Sequence, residues 1–229
     1  MLHRSIIETR GDVAFPAWQG ERVYMRPFLK ADGLPQDLSR WQPTVDAMLE
    51  GIDTDQPVYI MIDETEVAAG RTQRRPGLHI DGYWNPGIKG YGNHAAVGTG
   101  HRELPRRHDP RPARHRSIPP GHASLMSGHT GHKSGSVLWS EADFAAPEGI
   151  ILASSVSAAE GYLGDYEGPI GEMGDCAHID VSSLTVLPME SGRVYAGNVN
   201  CLHQSLPVME SCHRSLVRLN VPGWTPQEN

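Results

Sequence analysis

A histidine and an aspartate stand two positions apart in the stretch Arg-Pro-Gly-Leu-His79-Ile-Asp81-Gly. The stretch is typical of a strand end, and residues two apart in a strand share one face. We therefore expect both side chains to face the same space, where an imidazole and a carboxylate can act as neighbouring metal ligands. With a second histidine they would form a facial triad, which leaves other coordination positions on the metal open.

The pair alone is a weak signal, because the chain has 12 histidines and repeats the pattern at His178 and Asp180. About one such pair is expected by chance in a chain with this many His and Asp residues. Capping a turn, or pairing with each other, is the commoner role for such residues. A metal site therefore requires a third ligand from elsewhere in the chain.

Further residues that could do chemistry lie near the C-terminus. Residues 192–203 predict a turn and then a strand with His203 at its far end, and residues 214–221 predict another strand. In that last strand Arg214 and Arg218 alternate with residues suited to packing, so both guanidinium groups lie on the opposite face. A guanidinium binds a carboxylate through two hydrogen bonds and keeps its proton, which suits a dicarboxylate site. Surface strands also carry arginine, so the ordinary alternative for one of these two arginines is a solvent-exposed position at the edge of the sheet.

The order His79-x-Asp81, a distant His203 and then Arg214 or Arg218 resembles the Fe(II)- and 2-oxoglutarate-dependent dioxygenases. His203 follows His79 by 124 residues (203 − 79), and the arginines follow His203 by 11 (214 − 203) and 15 (218 − 203). Both intervals fit the family, in which a basic residue lies roughly ten to fifteen positions beyond the distal histidine. The resemblance covers about residues 57–222, and its specific matches lie at the two ends.

The second His-x-Asp fits this family less well. His178 precedes His203 by only 25 residues (203 − 178), too few for the strands that should intervene. We therefore prefer the first pair as the metal ligands.

The resemblance implies a mainly β protein with a double-stranded β-helix, or jelly roll, and a few flanking helices. It implies that His79, Asp81 and His203 bind Fe(II), and that 2-oxoglutarate and O2 take the open positions. Arg214, or as second choice Arg218, would hold the far carboxylate of 2-oxoglutarate. The implied reaction is hydroxylation or oxidative demethylation of an unidentified substrate, with release of succinate and CO2.

Two other functions stay open. In a non-catalytic jelly-roll structural or binding protein, the same residues would only be polar residues at turns and strand ends. Such a protein would bind no stoichiometric iron. A cupin-like metal enzyme that does not use 2-oxoglutarate would bind its metal whether or not Arg214 and Arg218 were present.

Composition independently favours short strands joined by turns over a helical bundle. The 229 residues suit a single domain (1–229), and they include 25 Gly and 18 Pro with a hydrophobic content of 38%. Residues 160–177 are acidic and Gly-rich and predict a lid or a plain loop. Strands are predicted at 21–26, 56–63, 137–139, 149–153 and 183–187, and a short helix at 43–51.

A long irregular insertion is predicted at about residues 86–135, which are rich in Gly, Pro, Arg and His. Its arginine run at 101–116 could lie along phosphates, so nucleic acid is kept as a less favoured partner. The substrate class stays open between a small molecule, a peptide and a nucleobase. Tyr83 and Trp84 are candidates for the pocket wall or for the core. Three histidines, His122, His129 and His132, could bind zinc, but a polar loop is the favoured interpretation.

The net charge and the number of cysteines limit which cellular compartment and which partners are expected. The net charge of −7 argues against general adhesion to nucleic acid or anionic membranes, and no apolar stretch is long enough for a membrane span. The N-terminal residues lack the apolar run of a signal peptide. Three cysteines in no disulfide or zinc spacing predict reduced thiols and hence a cytoplasmic protein. The charge and the lack of a long apolar stretch predict no membrane partner.

Overall fold

The computed structural model describes residues 2–82, 147–171 and 174–227. Over these ranges the chain is mainly β, with two antiparallel sheets, a 3-10 helix at Gln36–Trp41 and a short α-helix, α1, at Gln42–Met48. The strands are β1 (Leu2–Ser5), β2 (Ile7–Asp12), β3 (Arg22–Phe28), β4 (Val58–Val67), β5 (Glu148–Ser154), β6 (Ala159–Glu167), β7 (Thr185–Pro188), β8 (Arg193–Asn198), β9 (Leu202–Ser205) and β10 (Cys212–Pro222).

The larger sheet has six strands in the order β2-β8-β5-β10-β4-β3. Strand β10 lies between β4 and β5, where Val217 stands opposite both Ile62 and Ala153. Over residues 216–220, β10 has a partner strand on each side, and this double pairing fixes the register of the residues on both its faces.

One face of this sheet packs against the helices. Val217, Leu219 and Val221 of β10 are fully buried there, in one apolar cluster with Trp41 and Val45. The α-helix starts with a proline in its first turn, where no intrahelical N–H bond is lost. The predicted packing face of β10 is thus confirmed, and the faces of β10 alternate as a strand requires.

The smaller sheet is built around β6, which pairs with β1, β7 and β9. The lid or plain loop predicted from Glu160 to Asp175 is therefore wrong over residues 160–167, which belong to β6. Buried Tyr162 and Tyr166 share one face of the strand. Its glycine content reflects packing: a Cβ at Gly161 would lie 2.5 Å from Cδ1 of Ile7.

The other predicted elements are confirmed at 21–26, 43–51, 56–63, 149–153, 183–187 and 214–221, with small shifts at their ends. The single strand predicted across 192–203 is two strands, β8 and β9, joined by a turn that moves the chain from the larger sheet to the smaller. The predicted insertion at 86–135, the strand at 137–139, and the candidates Tyr83, Trp84, His122, His129 and His132 lie outside the described residues. Among the described helices, none is long and apolar enough to cross a bilayer.

Candidate metal centre

The two candidate histidine ligands face each other across an antiparallel bridge between residue 79 and strand β9. The backbone N–H of His79 donates to the carbonyl of His203, and the reverse bond is also made, each at 3.0 Å. Directly opposed residues of this kind bring their side chains close together. The two imidazole centroids are 4.5 Å apart, which places the ring nitrogens within reach of one shared ion.

The far side of the His79 segment is held by residues 174–176. The N–H of Ile80 donates to the carbonyl of Gly174 at 2.9 Å, and the N–H of Cys176 donates to the carbonyl of Leu78 at 3.0 Å. Gly174 has a φ of 76°, and a Cβ there would lie 2.2 Å from the Ile80 carbonyl oxygen. Only glycine allows this close backbone approach, so the site segment is fixed on both sides.

Asp81 completes the group. Single ligand atoms of His79, Asp81 and His203 all lie within 4.8 Å of one another. Both histidines are buried and Asp81 is half-buried. Two imidazoles and one carboxylate converging in this way match the ligand set of a facial triad. The structure thus brings together the three ligands that the sequence predicts.

Backbone carbonyls orient both rings. Nδ1 of His79 lies 2.7 Å from the carbonyl oxygen of Gly77, and Nδ1 of His203 lies 3.0 Å from that of Cys201. A carbonyl only accepts, so each Nδ1 carries the proton and donates it. Nε2 is then the nitrogen of each ring that remains for a metal.

Arg218 binds the carboxylate of this group. Its Nη1 lies 2.7 Å from Oδ1 of Asp81, whereas Oδ2 lies 3.3 Å from Nε2 of His203. The two carboxylate oxygens therefore have different neighbours, a guanidinium and an imidazole. The arginine leaves one oxygen directed at the histidine pair, as a single-oxygen metal ligand requires.

The pKa values of the group reflect its burial and its charges. Burial, with the charge of His203 next, lowers the pKa of His79 to about 3. Burial alone would lower the pKa of His203, but the hydrogen bond to Asp81 and the charge of Asp81 outweigh it and raise this pKa to about 10. Burial alone would raise the pKa of Asp81, but Arg218 and His203 hold it well below its usual range. A cationic neighbour thus keeps the carboxylate ionised.

Arg214 lies on the same face of β10 as Arg218 and is 1% exposed. Its Nε donates to Oγ of Ser154 at 2.9 Å, but its Nη1 is buried and has no hydrogen-bond partner among the described residues. Burial lowers the pKa of Arg214 to about 10, which leaves it charged at neutral pH. A buried cation with an unused donor is suited to an anionic ligand.

Apolar side chains lie between the polar groups. Met25, Met61 and Leu216 form a small buried cluster, and Nη2 of Arg218 lies 3.2 Å from Sδ of Met25. Met25 has a positive φ of 47°, at an irregularity in the β3–β4 register that directs it onto this face. Strained backbone of this kind is concentrated at functional sites. No local sequence signal marked Met25 or Ser154, because both reach the site only through strand pairing.

The second His-x-Asp is not part of this group. His178 and Asp180 are exposed, and Nε2 of His178 lies 2.9 Å from the carbonyl oxygen of Pro169. The preference for His79 and Asp81 therefore agrees with the structure.

The chain matches no protein-family model, no curated protein and no solved structure.

Proposed function

We propose that this protein is an Fe(II)- and 2-oxoglutarate-dependent oxygenase. The observation that carries the proposal is the convergence of His79, Asp81 and His203 beneath a strand with two buried arginines. One arginine holds the carboxylate ligand, and the other, Arg214, has a donor without a partner in the described part of the chain. Three convergent metal ligands beside a buried guanidinium with an unused donor are what binding a 2-oxo dicarboxylate requires.

The sheet topology supports a double-stranded β-helix as the finer description of the fold. From β4 onward the chain passes from the larger sheet to the His79 segment beside β9, and back to the larger sheet at β5. It then enters the smaller sheet at β6 and β7, returns at β8, crosses at β9 and ends in the larger sheet at β10. Such interleaving between two facing sheets is the defining property of a jelly roll.

The two arginines have separate roles in this proposal. Arg218 is already engaged with Asp81 and acts as a positioning residue for that ligand. Arg214 lies four positions away on the same strand face, which is about 13 Å along a β-strand. It is therefore our choice for the far carboxylate of 2-oxoglutarate.

In the reaction, the chain's residues bind, orient and exclude water. Bound Fe(II) would supply the oxygen chemistry that couples decarboxylation of 2-oxoglutarate to oxidation of the substrate. His79, Asp81 and His203 would hold the metal on one side and leave its other side accessible. The Met25, Met61 and Leu216 cluster would keep bulk water away from the reacting atoms.

One observation favours the non-catalytic alternative. Asp81 contacts both Arg218 and His203, so its charge is compensated without any metal. A purely structural cluster would have the same contacts, and it predicts no stoichiometric Fe(II) in the purified protein.

The test is anaerobic. Wild-type protein with Fe(II) and 2-oxoglutarate should show the visible metal-to-ligand charge-transfer band. His203→Ala should abolish the band, Arg214→Met should weaken it at limiting 2-oxoglutarate, and the matched control His178→Ala should leave it unchanged.

The other outcomes point to the alternatives. No band in wild type, with metal content near zero, would overturn the proposal in favour of the non-catalytic protein. Stoichiometric metal binding without a 2-oxoglutarate band would point to the cupin-like enzyme.

A further inference from the structure

At one edge of the larger sheet, outside the metal centre, two arginines share a single carboxylate. Nε of Arg22 lies 3.2 Å from Oδ1 of Asp63, and Nη1 of Arg74 donates to Oδ2 of Asp63 at 3.1 Å. Oδ1 also accepts a hydrogen bond from Oγ1 of Thr65 at 2.6 Å. Both oxygens of the carboxylate are therefore engaged, and the two guanidiniums leave an excess of one positive charge.

The carboxylate of this cluster is buried, whereas its arginines reach solvent. The side chain of Asp63 is 4% exposed, and those of Arg74 and Arg22 are 36% and 68% exposed. Apart from the contacts with Asp63, neither guanidinium has a hydrogen bond or ion pair among the described residues. A guanidinium has five N–H donors, so each arginine keeps donors that a ligand can reach from solvent.

The two arginines come from different parts of the chain to one buried anchor. Arg22 lies on β3, opposite Asp63 in the strand register. Arg74 follows Gln73, whose Nε2 donates to the carbonyls of Asp63 at 2.6 Å and of Arg214 at 3.3 Å. Because the backbone positions and the anchor are fixed by the fold, both guanidiniums are oriented before any ligand binds.

Asp63 lies on the sheet face that carries the arginines of the candidate metal centre. It stands opposite Leu216, the residue of β10 that lies between those two arginines, and directly opposed residues share a face. Arg22 is two strands away from β10, about 10 Å across the sheet. A group bound by Arg22 and Arg74 would therefore be several bonds away from an atom that reacts at the metal.

Stability does not account for the second guanidinium. Exposed ion pairs contribute little to stability, and a second cation beside a carboxylate that is already paired adds repulsion between like charges. The chain as a whole has a net charge of −7, so this local excess of positive charge runs against its overall charge. Two guanidiniums with accessible donors are suited to the oxygens of a phosphate or a carboxylate.

We propose that Arg22 and Arg74 bind an oxyanion, either a phosphate or a carboxylate, that is carried by the substrate. That the occupant is the substrate of an oxygenase rests on the proposed function above. The binding of an oxyanion rests only on the two arginines and on Asp63, which orients them.

The test measures binding of three aromatic probes to the metal-free full chain by calorimetry at pH 7: phenyl phosphate, benzoate and the cation benzylamine. Wild type should bind the anions and not benzylamine, and the anion that binds more tightly identifies the oxyanion as phosphate or carboxylate. Arg74→Gln should weaken anion binding about tenfold, because a charged hydrogen bond is lost. Arg22→Gln should weaken it about fivefold, because solvent screens the more exposed charge. Circular dichroism and thermal melts establish that each variant is folded.

The matched control is Arg26→Gln. Arg26 lies on the same strand as Arg22, is 40% exposed and forms an ion pair of one arginine with one carboxylate, that of Asp37. This variant removes the same positive charge and should keep anion affinity within about twofold of wild type. Absence of anion binding to wild type, equally tight binding of benzylamine, or an equal loss in the Arg26 variant would each overturn the site.

The charge-transfer band separates this site from that of 2-oxoglutarate. Arg22→Gln and Arg74→Gln should leave the 2-oxoglutarate affinity measured by the band within about twofold of wild type, because neither residue is assigned to the cosubstrate. A parallel loss of 2-oxoglutarate affinity would overturn the substrate site and assign the two arginines to the cosubstrate.

The two proposals fail separately. Calorimetry of the probes needs no metal, whereas the band reports only on Fe(II) and 2-oxoglutarate. Anion binding that depends on Arg22 and Arg74, without a band, would remove the oxygenase and keep the oxyanion site. A band without anion binding would keep the oxygenase and remove the oxyanion site.

Discussion

The two faces of the six-stranded sheet differ in kind, although they belong to the same strands. Toward the helices, Val217, Leu219 and Val221 are buried in a continuous apolar cluster. Toward the smaller sheet, Arg214 and Arg218 are almost as deeply buried, with polar atoms that have no partner in the described residues. We call these the apolar face and the polar face.

This difference between the two faces separates the residues that stabilise the fold from those to which we assign a function. Burial of apolar area is the main favourable term in folding, so the apolar face accounts for much of the sheet's stability. Buried charges seldom stabilise a fold and cost free energy when their partners are incomplete. We therefore attribute the polar face to the ligand binding proposed above, and substitutions on the two faces should have opposite signatures.

The largest effect is expected on the apolar face. Leu219→Ala should lower the free energy of unfolding by about 4 kcal/mol, because it leaves a cavity in a packed core. The 2-oxoglutarate band of the folded fraction should persist. Denaturant titration measures the loss, and Leu163→Ala, at a leucine that is 38% exposed, is the matched control with little change. A small loss at Leu219 would contradict the assignment of stability to this face.

On the polar face, Arg218→Met should destabilise the metal-free protein by about 3 kcal/mol, because it removes the guanidinium that lies 2.7 Å from the half-buried carboxylate of Asp81. Anaerobic Fe(II) should recover part of this loss by supplying a positive charge beside Asp81. The measurement is a pair of denaturant titrations with and without Fe(II). An equal loss in both would show that the metal does not replace Arg218 as the positive charge beside Asp81.

Arg214→Met should have the opposite signature to Leu219→Ala. Its apolar side chain removes a buried guanidinium with an unused donor, so the free energy of unfolding should stay the same or rise. The affinity for 2-oxoglutarate should fall about 10- to 100-fold, the cost of a charged hydrogen bond of roughly 1.5–3 kcal/mol. Titration of the charge-transfer band measures it. Arg214→Lys should show a smaller loss, and unchanged affinity would reassign the cosubstrate to another residue.

The smallest effect is a pH dependence at the edge of the apolar face. Burial alone would raise the pKa of Glu64, but backbone bonds from Glu21 and Gln19, and then Arg40, lower it. A carboxyl with a lowered folded pKa stabilises the protein above its unfolded value of about 4.3. This contribution is lost as the pH falls through the lower folded pKa.

The check is the change in melting temperature between pH 6 and pH 3. It should be smaller in Glu64→Gln than in wild type. Glu66→Gln, at an exposed glutamate of the same strand, is the control, and its profile should resemble that of wild type. An unchanged profile in Glu64→Gln would show that this carboxylate does not contribute to acid sensitivity.

The local sequence pattern was sufficient to predict some strands of this protein but not others. The strand at β10 and its two faces could be predicted because alternation is a local property of the chain. Strand β6 could not, because Gly161 and Gly164 indicate a loop until Ile7 and Leu184 are seen to occupy the space where their side chains would be. Likewise, nothing near Met25 indicates that a backbone irregularity directs it toward Arg218.

The sequence by itself determined the mainly β character, the candidate metal ligands His79, Asp81 and His203, and the two arginines on one strand face. Only the tertiary structure decided that Arg218 binds Asp81 while Arg214 keeps an unused donor. The physical reason is that periodicity assigns a residue to a face. Its partner is set by strand register across residues that are far apart in the chain.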